Sequence, residues 1–137
     1  MNDRSLVITK SDFDRLSGLV HSRQSRLNYG SHVATLEQEL GAGEVVSPTQ
    51  VPRGVVTMNS RVRIRDVDSD ERDTYVLVYP EHSDIEDGRL SVMAPLGTAL
   101  LGAKVGDIVE VNAPAGIRRI KIERILYQPE AAGDFHL

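Results

Sequence analysis

Cysteine is absent from this 137-residue chain. That excludes disulfides, thiol catalysis and cysteine-ligated zinc, and it leads us to expect a reducing, cytoplasmic compartment. Tryptophan is also absent, and two Phe and four Tyr are the whole aromatic inventory. A deep aromatic-lined pocket is therefore hard to build. Positive charge is in deficit: 16 Lys and Arg stand against 20 Asp and Glu, for a formal charge of −4. Free-standing nucleic-acid binders are usually basic, because phosphate neutralisation supplies most of their affinity. Only a local basic face is left for weak or indirect contact of that kind. Long apolar runs are missing too. The longest uncharged stretch, residues 90–103, holds 14 residues and is broken by Pro95, Gly97 and Gly102, whereas a membrane span needs roughly 20. The first residues, MNDRSLVITK, contain no signal-peptide core. What is present is ordinary for a soluble protein, 40% hydrophobic and 26% charged, with room for one compact domain or one with a small appendage.

The chain divides by hydrophobic period. Residues 6–9 (LVIT) read as a short strand or extended lead-in. Ser11 followed by Asp14 fits a capping box. Phe13, Leu16 and Val20, with Leu19 beside them and Leu27 further on, then give a helical stripe that predicts a helix over 12–27. Asn28-Tyr29-Gly30-Ser31 is a turn signal. Val33, Leu36 and Leu40 predict a second helix over 32–40, ended by Gly41 and Gly43. The expectation is a short antiparallel helical hairpin over 1–43. Residues 44–54, with Pro48, Pro52 and Gly54, read as a linker that leaves the angle to the following domain open.

From residue 55 the period shortens to two. Val62 and Ile64 alternate with Arg61, Arg63 and Arg65, so 61–65 is a half-buried strand. Residues 66–73 carry five acids and read as a solvated hairpin turn. Strands follow at 74–79, around Leu90 and Val92, at 108–111 and at 117–126, the last with Ile120 and Ile122 inward. Pro95 suits the first turn of one short helix, with Leu96, Ala99 and Leu100 on its apolar face. The fold class is α+β: a helical hairpin, then an antiparallel sheet with one short helix.

The search for chemistry finds little. No glycine pattern cradles a phosphate. His21, His32, His82 and His136 have no ligand-spaced partner, so they read as surface residues. His82-Ser83-Asp84 holds triad letters, but three adjacent loop residues cannot converge. Asp66, Asp68 and Asp70 lack the glycine and terminal glutamate of a calcium loop. No metal, cofactor or catalytic residue is expected. Two features stand out instead. Arg61, Arg63 and Arg65 share one strand face and, with Arg118, Arg119, Lys121 and Arg124, make a basic patch or a set of cross-strand ion pairs. Residues 92–96 are unusually apolar, suiting either core or a protein-docking edge. An interaction protein is the better reading than an enzyme.

Ordered strings carry a resemblance: residues 55–62 (VVTMNSRV), 77–80 (LVYP), 90–97 (LSVMAPLG), 99–102 (ALLG), 105–107 (VGD) and 127–134 (YQPEAAGD). With them the chain resembles the Rnk family, regulators of nucleoside diphosphate kinase, and more distantly the Gre transcript-cleavage factors. The resemblance implies an FKBP-like domain over 55–137 carrying the N-terminal coiled-coil hairpin. It implies a bacterial transcription regulator that binds RNA polymerase near the secondary channel in competition with Gre factors. Nucleoside diphosphate kinase is then either a direct partner or a protein whose level is controlled. In Gre factors two acids at the hairpin tip help hold a catalytic magnesium. Here residues 21–36 hold no Asp or Glu, and the tip presents Arg23, Arg26, Asn28 and Tyr29. Cleavage stimulation is therefore not expected. The docking segment of Gre factors matches Met93, Ala94, Pro95 and Leu96, with Pro95 retained and Met93 and Ala94 standing at polar positions. The resemblance also raises prolyl isomerase, which the scarcity of aromatics disfavours.

Overall fold

The computed structural model describes residues 6–21, 32–114 and 116–135. Strand β1 (Val7–Thr9) runs directly into helix α1 (Lys10–Val20). Thr9 is the N-cap, its Oγ1 accepting from the Asp12 amide at 3.3 Å. The expected cap at Ser11 is corrected: Thr9 is still extended (φ −74°, ψ 155°) and Ser11 lies inside the first turn. Helix α2 (His32–Ala42) leads through Gly43 into strand β2 (Glu44–Val46). β2 pairs parallel with β1 in the register Val7–Glu44, Ile8–Val45, Thr9–Val46. The start of the expected linker is thus a strand, and Pro48–Gln50 forms a 3-10 turn after it. Gly43 is required by crowding, since a Cβ there would lie 2.9 Å from the Leu6 carbonyl oxygen.

The second sheet has five strands: β3 (Arg61–Asp66), β4 (Arg72–Val78), β5 (Arg89–Ser91), β6 (Ile108–Ala113) and β7 (Gly116–Tyr127). Their order is β5-β4-β3-β7-β6. The expectation of a wholly antiparallel sheet is corrected at one edge, where β5 lies parallel to β4. Residues 79–88 bring this about. Two 3-10 turns, Pro80–His82 and Ile85–Asp87, return the chain to the level of Val76, so that β5 runs alongside the last three residues of β4. Helix α3 (Pro95–Leu100) follows β5, and helix α4 (Pro129–Ala132) follows β7.

A continuous core joins the two parts. α1 buries Leu16 and Val20, and α2 buries Val33, Leu36 and Leu40. These side chains belong to one cluster with Val62, Ile64, Leu77, Met93, Ile120 and Ile122. α1 packs on α2, and α2 packs on α3. Leu6 closes the seam, its Cδ1 only 2.7 Å from where a Cβ would stand on Gly102, which adopts φ +79°. The helices and the sheet therefore meet through packed side chains. On the other face of the five-stranded sheet Arg61, Arg63 and Arg124 are exposed, and Arg65 and Lys121 are half-buried.

Candidate functional site

The expected docking segment is tightly held by its own backbone. The Val92 amide donates to the Val78 carbonyl at 2.9 Å, and the Ala94 amide to the Ser91 carbonyl at 3.1 Å. The Thr98 hydroxyl donates to the Val92 carbonyl at 2.7 Å. Ala94 is the N-cap of α3 and Pro95 its first residue, where the missing N–H costs nothing. Gly97 then passes over β5 so closely that a Cβ would lie 2.0 Å from the Ser91 carbonyl oxygen. This geometry divides the four candidates. Met93 is 0% exposed and belongs to the core, so its proposed role on a docking surface is corrected: an unbranched apolar side chain at a turn filled the interior instead. Ala94 and Leu96 are half-buried, and Pro95 is exposed.

The arginines of β3 are unevenly neutralised. Val62 and Ile64 point into the core, while Arg61 and Arg63 are exposed and Arg65 is half-buried. Arg65 reaches Asp70 at 2.9 Å and Glu123 at 3.2 Å. Arg72 shares Glu123 at 3.1 Å. Arg118 reaches Asp66 at 3.0 Å, and Arg119 pairs with Asp68. Among the described residues Arg61, Arg63, Lys121 and Arg124 have no ion-pair partner.

The acidic turn is an anchor for the backbone. Asp66 Oδ1 accepts from the amides of Asp68 (2.9 Å) and Ser69 (3.1 Å), and Oδ2 accepts from Arg118. The Ser69 amide first, then Arg118, hold its carboxyl below the usual carboxylate range. Among the described residues no three acids or histidines stand where they could hold a metal ion together. His82, Ser83 and Asp84 do not converge. The Ser83 hydroxyl donates to the Pro80 carbonyl, and Asp84 accepts from the Asp87 amide. The tip candidates Arg23, Arg26, Asn28 and Tyr29 lie outside the described residues.

One contact was not foreseen. Asp12, in the first turn of α1, is buried, and Tyr79, just after β4, donates its hydroxyl to Asp12 Oδ1 at 2.7 Å. Arg15 lies 3.7 Å above the centre of the Tyr79 ring and reaches Glu81 at 3.5 Å. Burial raises the Asp12 carboxyl above its ordinary range, although the Tyr79 hydrogen bond pulls the other way. Burial, then the neighbouring carboxylate, pushes the Tyr79 hydroxyl far above its usual value. The only sequence signal for this clasp is Asp12 standing three residues after Thr9, the position of a cap's third residue. A second tie closes the tail. Tyr127 donates to Asp134, and that bond, with some burial, leaves the Tyr127 hydroxyl pushed up to about 12. A cavity of about 200 Å³ lies beside the start of α1, between Thr9–Ser11, Val46–Pro48, Glu130 and Phe135. Glu130 is already engaged there, accepting from the Thr57 hydroxyl at 2.6 Å.

Comparison with known proteins places these surfaces in context. Residues 51–127 match the family model described as transcription elongation factor, GreA/GreB, C-terminal. The chain is 37% identical over 139 residues, covering all of both chains, to the regulator of nucleoside diphosphate kinase of Escherichia coli strain K12. It is 36% identical over 101 residues to the transcription elongation factor GreA of Chelativorans sp. strain BNC1, covering 74% of this chain and 64% of that protein. Among solved structures, a prokaryotic transcription elongation factor GreA/GreB from Nitrosomonas europaea is 38% identical and superposes with a TM-score of 0.75, covering 90% of this chain and 98% of that one.

Proposed function

Because the chain belongs to the GreA/GreB family of transcription elongation factors, and matches the nucleoside diphosphate kinase regulators along its full length, we propose that it is a non-catalytic regulator that binds RNA polymerase near the secondary channel. In this reading residues 55–137 are the FKBP-like docking domain, 44–54 the connection, and 1–43 a short helical hairpin that occupies the channel entrance. The observation that carries it is the segment after β5. Family-typical Pro95 is the exposed residue of a turn whose backbone is locked to β4, β5 and α3. A rigid, exposed proline flanked by half-buried Ala94 and Leu96 suits a protein contact, because little conformational freedom is lost on binding. Transcript cleavage is not part of the proposal. Residues 21–36 contain no carboxylate to hold a magnesium ion.

Capture of purified core polymerase by the tagged chain tests this. Pro95→Asp keeps the helix start, since an acid suits the first turn, but replaces the apolar contact with a charge. We expect capture to weaken by about tenfold or more, the scale of a central contact residue, with an unchanged circular dichroism spectrum. Unchanged capture would remove this segment from the interface. The names of the full-length relatives favour a second reading, direct action on nucleoside diphosphate kinase. Kinase activity that changes on mixing the two purified proteins would support it, and unaltered activity would leave control of kinase levels.

A further inference from the structure

Arg61, Arg63, Lys121 and Arg124, which have no ion-pair partner among the described residues, stand on one face of the five-stranded sheet. β3 is central, with β4 on one side and β7 on the other. In the β3–β7 register Arg63 stands beside Arg124, and Arg65 stands beside Lys121. Arg61 is two residues along β3 from Arg63 and points the same way. Like charges placed opposite each other destabilise a sheet, so the fold gains nothing from this arrangement. Nor are acids scarce in a chain that carries 20 of them. They are segregated. On this face Asp68, Asp70 and Glu123 neutralise Arg119, Arg65 and Arg72 at the turn end, whereas Asp66 and Arg118 pair on the opposite side of the sheet, in line with Ile64 and Ile120. The end bearing Arg61, Arg63 and Arg124 is left positive.

The composition of the face selects its occupant. Leu126 is 39% exposed beside Arg124, and Ile108, 54% exposed, stands opposite Lys121 on β6. Exposed aliphatics have no complement on a phosphate backbone, but they do on a protein. The positive end spans about two strand spacings, on the order of 10 Å, and the width of one helix is similar. We propose that this face is a second contact with the polymerase, taking an acidic protein segment that also carries aliphatic side chains. The inference rests on the polymerase reading, and is independent of the Pro95 segment.

The test is capture of core polymerase at increasing salt by the full chain, by Arg63→Glu/Arg124→Glu and by Arg63→Lys/Arg124→Lys. The reversed pair keeps like charges side by side, so its melting temperature should match the wild type. We expect charge reversal to weaken capture by about tenfold and to flatten its salt dependence, as for a screened charge contact, while the lysine pair stays within about threefold of wild type. Capture by the reversed pair with wild-type strength and salt dependence overturns the inference but leaves the polymerase reading standing. No capture by the wild-type chain overturns both. The same proteins are run in a gel shift against a 20-nucleotide single strand and its duplex at physiological salt. Retardation that reversal abolishes, with polymerase capture unaltered, would give the face to phosphate and overturn the protein occupant.

Discussion

Gly97→Ala is expected to destabilise the protein by about 3 kcal/mol, at the upper end of what overpacking a core costs. Helix propensity alone predicts the opposite sign, since Ala is favoured over Gly inside a helix by up to ~1 kcal/mol. Contact decides. The new Cβ would stand 2.0 Å from the Ser91 carbonyl oxygen, 2.9 Å from its carbonyl carbon and 3.0 Å from Val92 Cα. All three are backbone atoms, and no rotamer change can move them. Ser91 ends β5, which is hydrogen-bonded to β4, and the Val92 carbonyl holds the Thr98 hydroxyl. Relief therefore requires α3 to lift from the sheet, which would also move Pro95. For a protein of this size that loss lowers the midpoint of thermal unfolding by roughly 10 °C. A thermal melt followed by circular dichroism reads it directly. A midpoint at or above that of the wild type would mean that α3 does not sit on the end of β5 as described.

Tyr79→Phe is expected to cost about 1–3 kcal/mol, the range for leaving a buried polar group without its partner. The phenyl ring can still stack under Arg15, so the lost item is the hydrogen bond to Asp12. The pH dependence separates this from simple repacking. Asp12 has a folded pKa raised above the ordinary carboxylate value, so it binds its proton more tightly in the fold than in the unfolded chain. Its contribution is complete below the ordinary carboxylate range and is lost as pH rises through the raised folded value. Removing the Tyr79 hydroxyl removes an interaction that lowers that pKa, so in Tyr79→Phe the loss extends to higher pH. Asp12→Asn has no such titration. Urea unfolding from acid to neutral pH should show wild type losing stability relative to Asp12→Asn as pH rises, and Tyr79→Phe losing more. Parallel curves for all three proteins would remove Asp12 as a buried titrating group. The double variant should also show non-additive stability, because the two side chains touch.

The features legible in the sequence are those encoded by local period. Val62 and Ile64 inward with Arg61 and Arg63 outward follow from alternation, and all four stand as expected. Leu16 and Val20, then Val33, Leu36 and Leu40, follow from helical spacing and are buried. Pro95 opens its helix as its fixed φ predicts. What escaped depends on partners distant in the chain. β1 is legible as a short strand or lead-in, but β2, also three residues, is stabilised by pairing with β1 across 34 intervening residues and is not visible alone. β5 reads as a strand from its own residues, but its parallel direction is set by how 79–88 turn. The Asp12–Tyr79 clasp joins residues 67 apart in sequence. Met93 is the instructive case among the site residues. An apolar residue before Ala-Pro suits core and rim equally well, and only the third dimension separates them. The basic face lies between these extremes. Its alternation is legible, but the split between neutralised Arg65 and unpaired Arg63 depends on where Asp70 and Glu123 arrive.

The central claim is that the chain binds polymerase where a Gre factor does and performs no cleavage there. The most direct measurement is capture of purified core polymerase by the immobilised chain, with and without excess GreA, alongside a transcript-cleavage assay on arrested complexes. The account predicts capture that GreA abolishes, and no stimulated cleavage. Capture that excess GreA leaves untouched, or cleavage stimulated by this chain, would contradict it.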